Sequence, residues 1–158
     1  MQAVKAYILT QATICAVINM IVNPLVSWIG NRAMRFTPLA AILVDMAITC
    51  LVMSTLIALF TLPAVRRDLR TGKISAEYRA VRGAGLLSRL PRSWWALGLL
   101  LGAGFAVVLV PVTCGVAVIL GLPGLTFGWL VLLKIVYTGA VAFAVTRWLI
   151  LRQLEAVR

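Results

Sequence analysis

Residues 93–134 read SWWALGLLLGAGFAVVLVPVTCGVAVILGLPGLTFGWLVLLK, with no charged side chain before the final lysine, Lys134. A transmembrane helix needs about 20 apolar residues, so this run is too long for one span and long enough for two. Gly121-Leu122-Pro123-Gly124 divides it, because glycine and proline interrupt helices and proline removes a backbone donor. The same pattern extends outward. Residues 6–31 carry no charge, residues 36–65 carry only Asp45, and after Lys134 the chain stays uncharged through Thr146. These runs predict four spans at roughly 6–29, 38–63, 94–120 and 125–148.

Composition agrees. Of the 158 residues, 63% are hydrophobic and 12% charged, and the mean hydropathy is +1.05; a soluble domain carries about 25% charged residues. The expected fold is an all-α membrane protein. It is a single domain over residues 1–158, with its four transmembrane helices arranged as two hairpins in a small bundle. A basic cytoplasmic linker, residues 64–93, joins the hairpins. The outer turns are faintly alike, Asn23-Pro24-Leu25-Val26-Ser27-Trp28 beside Pro123-Gly124-Leu125-Thr126-Phe127-Gly128-Trp129. Duplication of a two-helix unit and the general enrichment of Pro, Gly and Trp at membrane interfaces both account for that.

A net charge of +11 points to nucleic acid in a soluble protein. Here the basic residues flank the spans, and the positive-inside rule accounts for them without nucleic acid. Lys5 precedes the first span. Arg66, Arg67, Arg70, Lys73, Arg79, Arg82, Arg89 and Arg92 follow the second, and Arg147, Arg152 and Arg158 close the last. Both termini are thereby expected inside. The first span is expected to stay in place rather than be cleaved as a leader, since its apolar run is long and no small-x-small site follows. Arginine outnumbers lysine, which fits a GC-rich bacterial genome and a bacterial cytoplasmic (inner) membrane. In the linker, Arg66, Arg67, Arg79, Arg82, Arg89 and Arg92 are expected to contact anionic lipid headgroups.

Small residues mark where helices can approach. Gly98 and Gly102 form one GxxxG and Gly124 and Gly128 another, and both are expected at packing contacts.

The residues that carry functional information are polar ones inside the spans. Charged side chains there cost about 2.5–3.5 kcal/mol on insertion scales, and the chain has two, Asp45 and Lys134. At about 1.5 Å per residue they lie roughly 10 and 13 Å below the outer surface. Asn23 and Asn19 lie roughly 8 and 14 Å from the same surface, and Pro111 roughly 14 Å. The expected site is therefore one polar layer in the outer half of the bilayer, built from Asn19, Asn23, Asp45, Thr49, Lys134 and Tyr137. Gln11, Cys15, Asn19 and Asn23 form an i, i+4 ridge on the first span.

Two functions fit this layer. It binds or transports a small polar or charged solute or protons, or it fixes helix packing in an accessory subunit of a membrane complex. Four spans are few for a complete pathway, so transport predicts a homo-oligomer or larger complex. Catalysis is not expected: histidine is absent, and Asp45 is the only acid at depth. No cofactor or metal is expected either, since Cys15, Cys50 and Cys114 are odd in number and lack CxxC spacing.

Overall fold

The computed structural model describes residues 2–31, 35–72 and 93–156. Helices α1 (Gln2–Asn31), α2 (Leu39–Arg70), α3 (Trp94–Ile119) and α4 (Phe127–Ala156) are each long and apolar enough to cross a membrane. Strands β1 (Phe36–Pro38) and β2 (Gly124–Thr126) lie immediately before α2 and α4. Most of the linker, residues 73–92 with Arg79, Arg82, Arg89 and Arg92, falls outside the described residues.

The helices are apolar on the outside as well as within. Leu9, Ile18, Val44, Phe60, Val107 and Val136 are all exposed, a surface suited to lipid rather than water. The tryptophans Trp28, Trp94, Trp95, Trp129 and Trp148 are exposed near helix ends. Along α4, Trp129 and Trp148 are about 28 Å apart, close to the hydrocarbon thickness of about 30 Å, so they mark the two interfaces. Helix formation survives Pro24, Pro63 and Pro111, because neighbouring helices and local adjustment accommodate the lost donor in lipid.

The third helix stops where glycine allows. Gly121 adopts φ +63°; its N–H donates to Val118 O at 3.1 Å, and that of Leu122 to Ala117 O at 2.8 Å. This Schellman closure satisfies the last carbonyls and turns the chain into β2. There β2 pairs antiparallel with β1 in the register Phe36↔Thr126, Thr37↔Leu125, Pro38↔Gly124. Leu39 N–H donates to Pro123 O at 3.0 Å, fastening the start of α2 to the same ribbon. The expectation of a purely helical chain misses this ribbon, whose strands are three residues each and too short for a hydropathy pattern. Gly124 is required here: a Cβ would collide with Thr37 O and the Phe36 ring.

Packing departs from two simple hairpins. The chief contacts are α1 on α4 and α2 on α3, with α4 also against α2. Small residues explain the exchange of partners. A Cβ on Gly98 would lie 2.6 Å from Thr55 Cα, and one on Gly102 2.7 Å from Cys50 O, so only glycine lets α3 come this close to α2. Gly139 on α4 faces α1, but there a Cβ would meet the flexible Met20 side chain, 2.6 Å from its Cγ, rather than backbone.

These contacts obey an approximate two-fold relation between α1-β1-α2 and α3-β2-α4. The ribbon and the α2–α4 contact lie on its axis. The buried positions of α2 recur in α4 at constant separation, as in Ile42 and Leu130, Cys50 and Thr138, Ile57 and Val145, Leu62 and Ile150. The relation favours duplication as the origin of the similar turns. One core cluster, including Met46, Met53, Leu97, Leu101, Val141 and Leu149, fills the middle of the molecule. A second, Val4, Ile8, Val65, Ile150 and Leu154, fills the end away from the ribbon.

Candidate functional site

At the ribbon end, α2 and α4 leave their strands side by side. Asp45 is about 9 Å along α2 and Lys134 about 10 Å along α4, so two charges of opposite sign arrive at one level. They meet. Lys134 Nζ lies 2.9 Å from Asp45 Oδ1 and 2.7 Å from Oδ2, so the ammonium straddles the carboxylate. The two ends differ in burial: the Lys134 side chain is 6% exposed and that of Asp45 42%. Cys50, Ser54 and Ala58 face α3, and helical geometry puts Asp45, Thr49 and Met53 along the edge of α2 turned away from it. That edge borders the groove left between α1 and α2, which pack on α4 and α3 rather than on each other.

Tyr137 is buried one turn from Lys134. Its hydroxyl lies near Thr49 and within the field of Asp45, yet closes no hydrogen bond with any described residue. Buried hydroxyls rarely stay unpaired, and ordered water is a common partner.

The asparagines form a separate tier. Asn19 Nδ2 donates to Cys15 O at 2.8 Å, and Asn23 Nδ2 is 3.2 Å from Asn19 O and 3.1 Å from Asn19 Oδ1. Both amides bend back along their own helix, each adding a second bond to the carbonyl four residues before it. Asn23 Nδ2 also reaches Met53 Sδ at 3.6 Å. Thr138 joins the tiers: its hydroxyl is 2.6 Å from Lys134 O and 3.3 Å from Asn19 O.

The predicted single layer is thus two. Asp45, Lys134, Thr49 and Tyr137 gather at the ion pair, while Asn19 lies one turn deeper, level with Thr138, and the amides of Asn19 and Asn23 bond along α1. Span three contributes nothing to either: Pro111 is exposed, and Thr113 donates to Met46 Sδ at 3.5 Å. Of the four glycines expected at contacts, Gly98 and Gly102 meet α2 and Gly124 meets the ribbon, whereas a Cβ on Gly128 would meet nothing within 4 Å. Arg66 and Arg67 are exposed at the end of α2.

Sequence reasoning missed a polar contact at the opposite end. Tyr7 OH donates to Asp68 Oδ2 at 2.8 Å. The signal was present, since Tyr7 continues the i, i+4 ridge of Gln11, Cys15 and Asn19 by one turn. Arg152, one of the basic residues closing the last span, is buried. Across the two-fold, the counterpart of the groove is a cavity of about 330 Å³ between α3 and α4. Ile42, Ala117, Trp129, Leu133 and Val136 line it, and the position equivalent to Asp45 is Leu133. One gap is polar and its twin is apolar. Compared with known proteins, the chain matches no family model, no curated protein and no solved structure.

Proposed function

We propose that this multi-pass membrane protein binds a proton or a small cation at Asp45, as a non-enzymatic site for solute or proton transfer in a bacterial cytoplasmic membrane. The observation that carries the reading is the unequal burial of the ion pair, 6% for Lys134 against 42% for Asp45. Here the carboxylate is presented to the groove, so an arriving cation meets Asp45 before it meets Lys134. A proton on Asp45 leaves the Lys134 ammonium without its counter-charge in low dielectric, and loss of a proton from Lys134 restores neutrality.

A second reading keeps the pair as a clamp. Lys134 reaches both carboxylate oxygens and joins α2 to α4 near the ribbon end, which is what an accessory subunit needs from a packing device.

Dicyclohexylcarbodiimide enters lipid and attacks protonated carboxyl groups, so it tests whether Asp45 exchanges. Mass spectrometry is expected to find the adduct on Asp45, increasing as the medium is acidified and absent from Asp45→Asn. An Asp45 inert at every pH at which the protein stays folded would leave only the clamp.

The reading places the chain termini and the arginine linker in the cytoplasm and the ribbon outside, on the positive-inside rule. Exposed Arg66, Arg67 and Arg70 at the end of α2 support it, and with the linker arginines they would meet anionic headgroups. Single cysteines placed at positions 36 and 122 of a cysteine-free variant should react with an impermeant maleimide on intact cells. Cysteines at 72 and 80 should react only after permeabilisation; the reverse pattern would invert the orientation. An oligomer or larger membrane complex would cover the open side of Asp45.

A further inference from the structure

We infer that the polar ridge of α1 and the α4 hydroxyls facing it form a proton path joining Asp45 near the outer surface to Asp68 at the cytoplasmic surface. This rests on the reading of Asp45 as a proton site.

The ridge is continuous. Tyr7, Gln11, Cys15, Asn19, Asn23 and Ser27 follow one another at i, i+4, and each is half-buried or buried. Leu9, Ile14, Ile18, Ile21 and Leu25, on the other faces of α1, are exposed. The ridge runs beside the buried stripe of Val4, Ile8, Ala12 and Ala16 and away from the lipid-facing aliphatics, a placement suited to an interior polar route. From Tyr7 to Ser27 the rise is about 30 Å, the thickness of the hydrocarbon core. Helix α3 has no comparable stripe.

Contacts across the groove link the ridge to both carboxylates. At the outer end Asp45 holds Lys134 at 2.7 Å, with the unpartnered Tyr137 hydroxyl beside them. One turn deeper, Thr138 touches the Lys134 and Asn19 carbonyls. Asn19 Nδ2 lies 3.6 Å from Cys15 Sγ. Thr146 on α4, almost wholly buried, sits next to Cys15, and its hydroxyl also closes no hydrogen bond among the described residues. Gln11 follows, then Tyr7, whose hydroxyl donates to Asp68. These two buried hydroxyls, with only Thr49 and Cys15 close by, are places where water lodges in a protein interior.

Transfer along such a row balances. A proton arrives on an Asp45 oxygen, and each hydroxyl or water accepts one proton on a lone pair while releasing its own to the next. Asp68 gives up the last to the cytoplasmic side. No group is consumed, and the row resets when the hydroxyls rotate back. Asparagine and glutamine amides do not relay; they orient the waters between the hydroxyls.

The test uses the full chain reconstituted in liposomes that enclose a pH-sensitive dye, with a potassium gradient and valinomycin supplying the driving force. Wild-type vesicles are expected to take up protons. Gln11→Leu, Tyr7→Phe and Asp68→Asn are each expected to slow uptake by at least about tenfold, while lipid-facing Ile18→Leu matches wild type. Each variant is checked by thermal unfolding. Gln11→Met replaces any ridge variant that does not fold, since it keeps length and removes only the amide. Carbodiimide labelling of Asp45 together with wild-type vesicles that do not conduct would overturn the path and leave the site. Normal uptake by Gln11→Leu and Asp68→Asn, with loss in the refolding double variant Asp45→Asn with Lys134→Met, would show the proton leaving by another route and overturn it equally. Normal uptake in Asp45→Asn would remove both readings.

Discussion

Asp45→Asn is expected to cost the protein most of its stability, and the double variant Asp45→Asn with Lys134→Met to restore it. Removing the carboxylate strands an ammonium whose side chain is 6% exposed, and breaking one side of a buried pair costs about 3–5 kcal/mol. Lys134→Met is expected to cost less, because the Asp45 carboxylate it strands already faces the groove. That order follows from the unequal burial, and equal losses would contradict it. The double variant leaves no stranded charge. Its unfolding in detergent, followed by heat or denaturant, should return close to wild type. Function then separates the two readings of the site. If the pair is a clamp, the double variant still complements a deletion strain. If Asp45 takes up a proton or cation, the protein accumulates and folds but does not complement. The reversed pair, Asp45→Lys with Lys134→Asp, should fold tolerably and also fail.

The second large effect lies between α2 and α3. A Cβ at Gly98 or Gly102 meets backbone rather than a side-chain tip: Thr55 Cα at 2.6 Å in the first case, Cys50 O at 2.7 Å and Leu51 Cα at 2.8 Å in the second. Backbone cannot rotate away, so α3 must move off α2. Gly102→Ala should destabilise by about 1–3 kcal/mol, the usual cost of overpacking, and Gly98→Leu with Gly102→Leu should prevent α3 from docking. Gly104 and Gly128 supply the contrast, since a Cβ at either meets nothing within 4 Å. Alanine there should leave the unfolding midpoint unchanged or raise it, as alanine favours helix over glycine by about 1 kcal/mol. Equal effects at Gly102 and Gly128 would mean that the α2–α3 contact is not built on small residues.

The four apolar helices are legible in the sequence because the cost of burying charge in lipid leaves runs that nothing else produces. Their ends are less so. Charge limits stop the second span near Pro63, yet α2 continues to Arg70, since a proline inside a long helix need not end it. Depth is legible too: counting along two helices from a common surface brought Asp45 and Lys134 to one level. Partner choice is not. Nothing in hydropathy says that α1 lies on α4, where Gly139 meets the Met20 side chain. The same counting grouped Asn19 and Asn23 with the pair, for depth fixes a residue's level and not the direction its amide takes. Tyr7–Asp68 was missed for a different reason, as both residues lie near span ends, where polar groups attract no notice.

The exchange of partners also sets a timetable. The first helix rests on the last, and the carboxylate in α2 waits for a lysine 89 positions further along. At translation rates of about 5–20 residues per second, that interval is roughly 4–18 seconds. Through it the early helices sit beside the ribosome and its insertion channel with the Asp45 carboxylate unmatched by α4. Assembly of this protein is therefore completed by its final helix, and a ribosome that stalls before Lys134 leaves a charged, half-built intermediate in the bilayer.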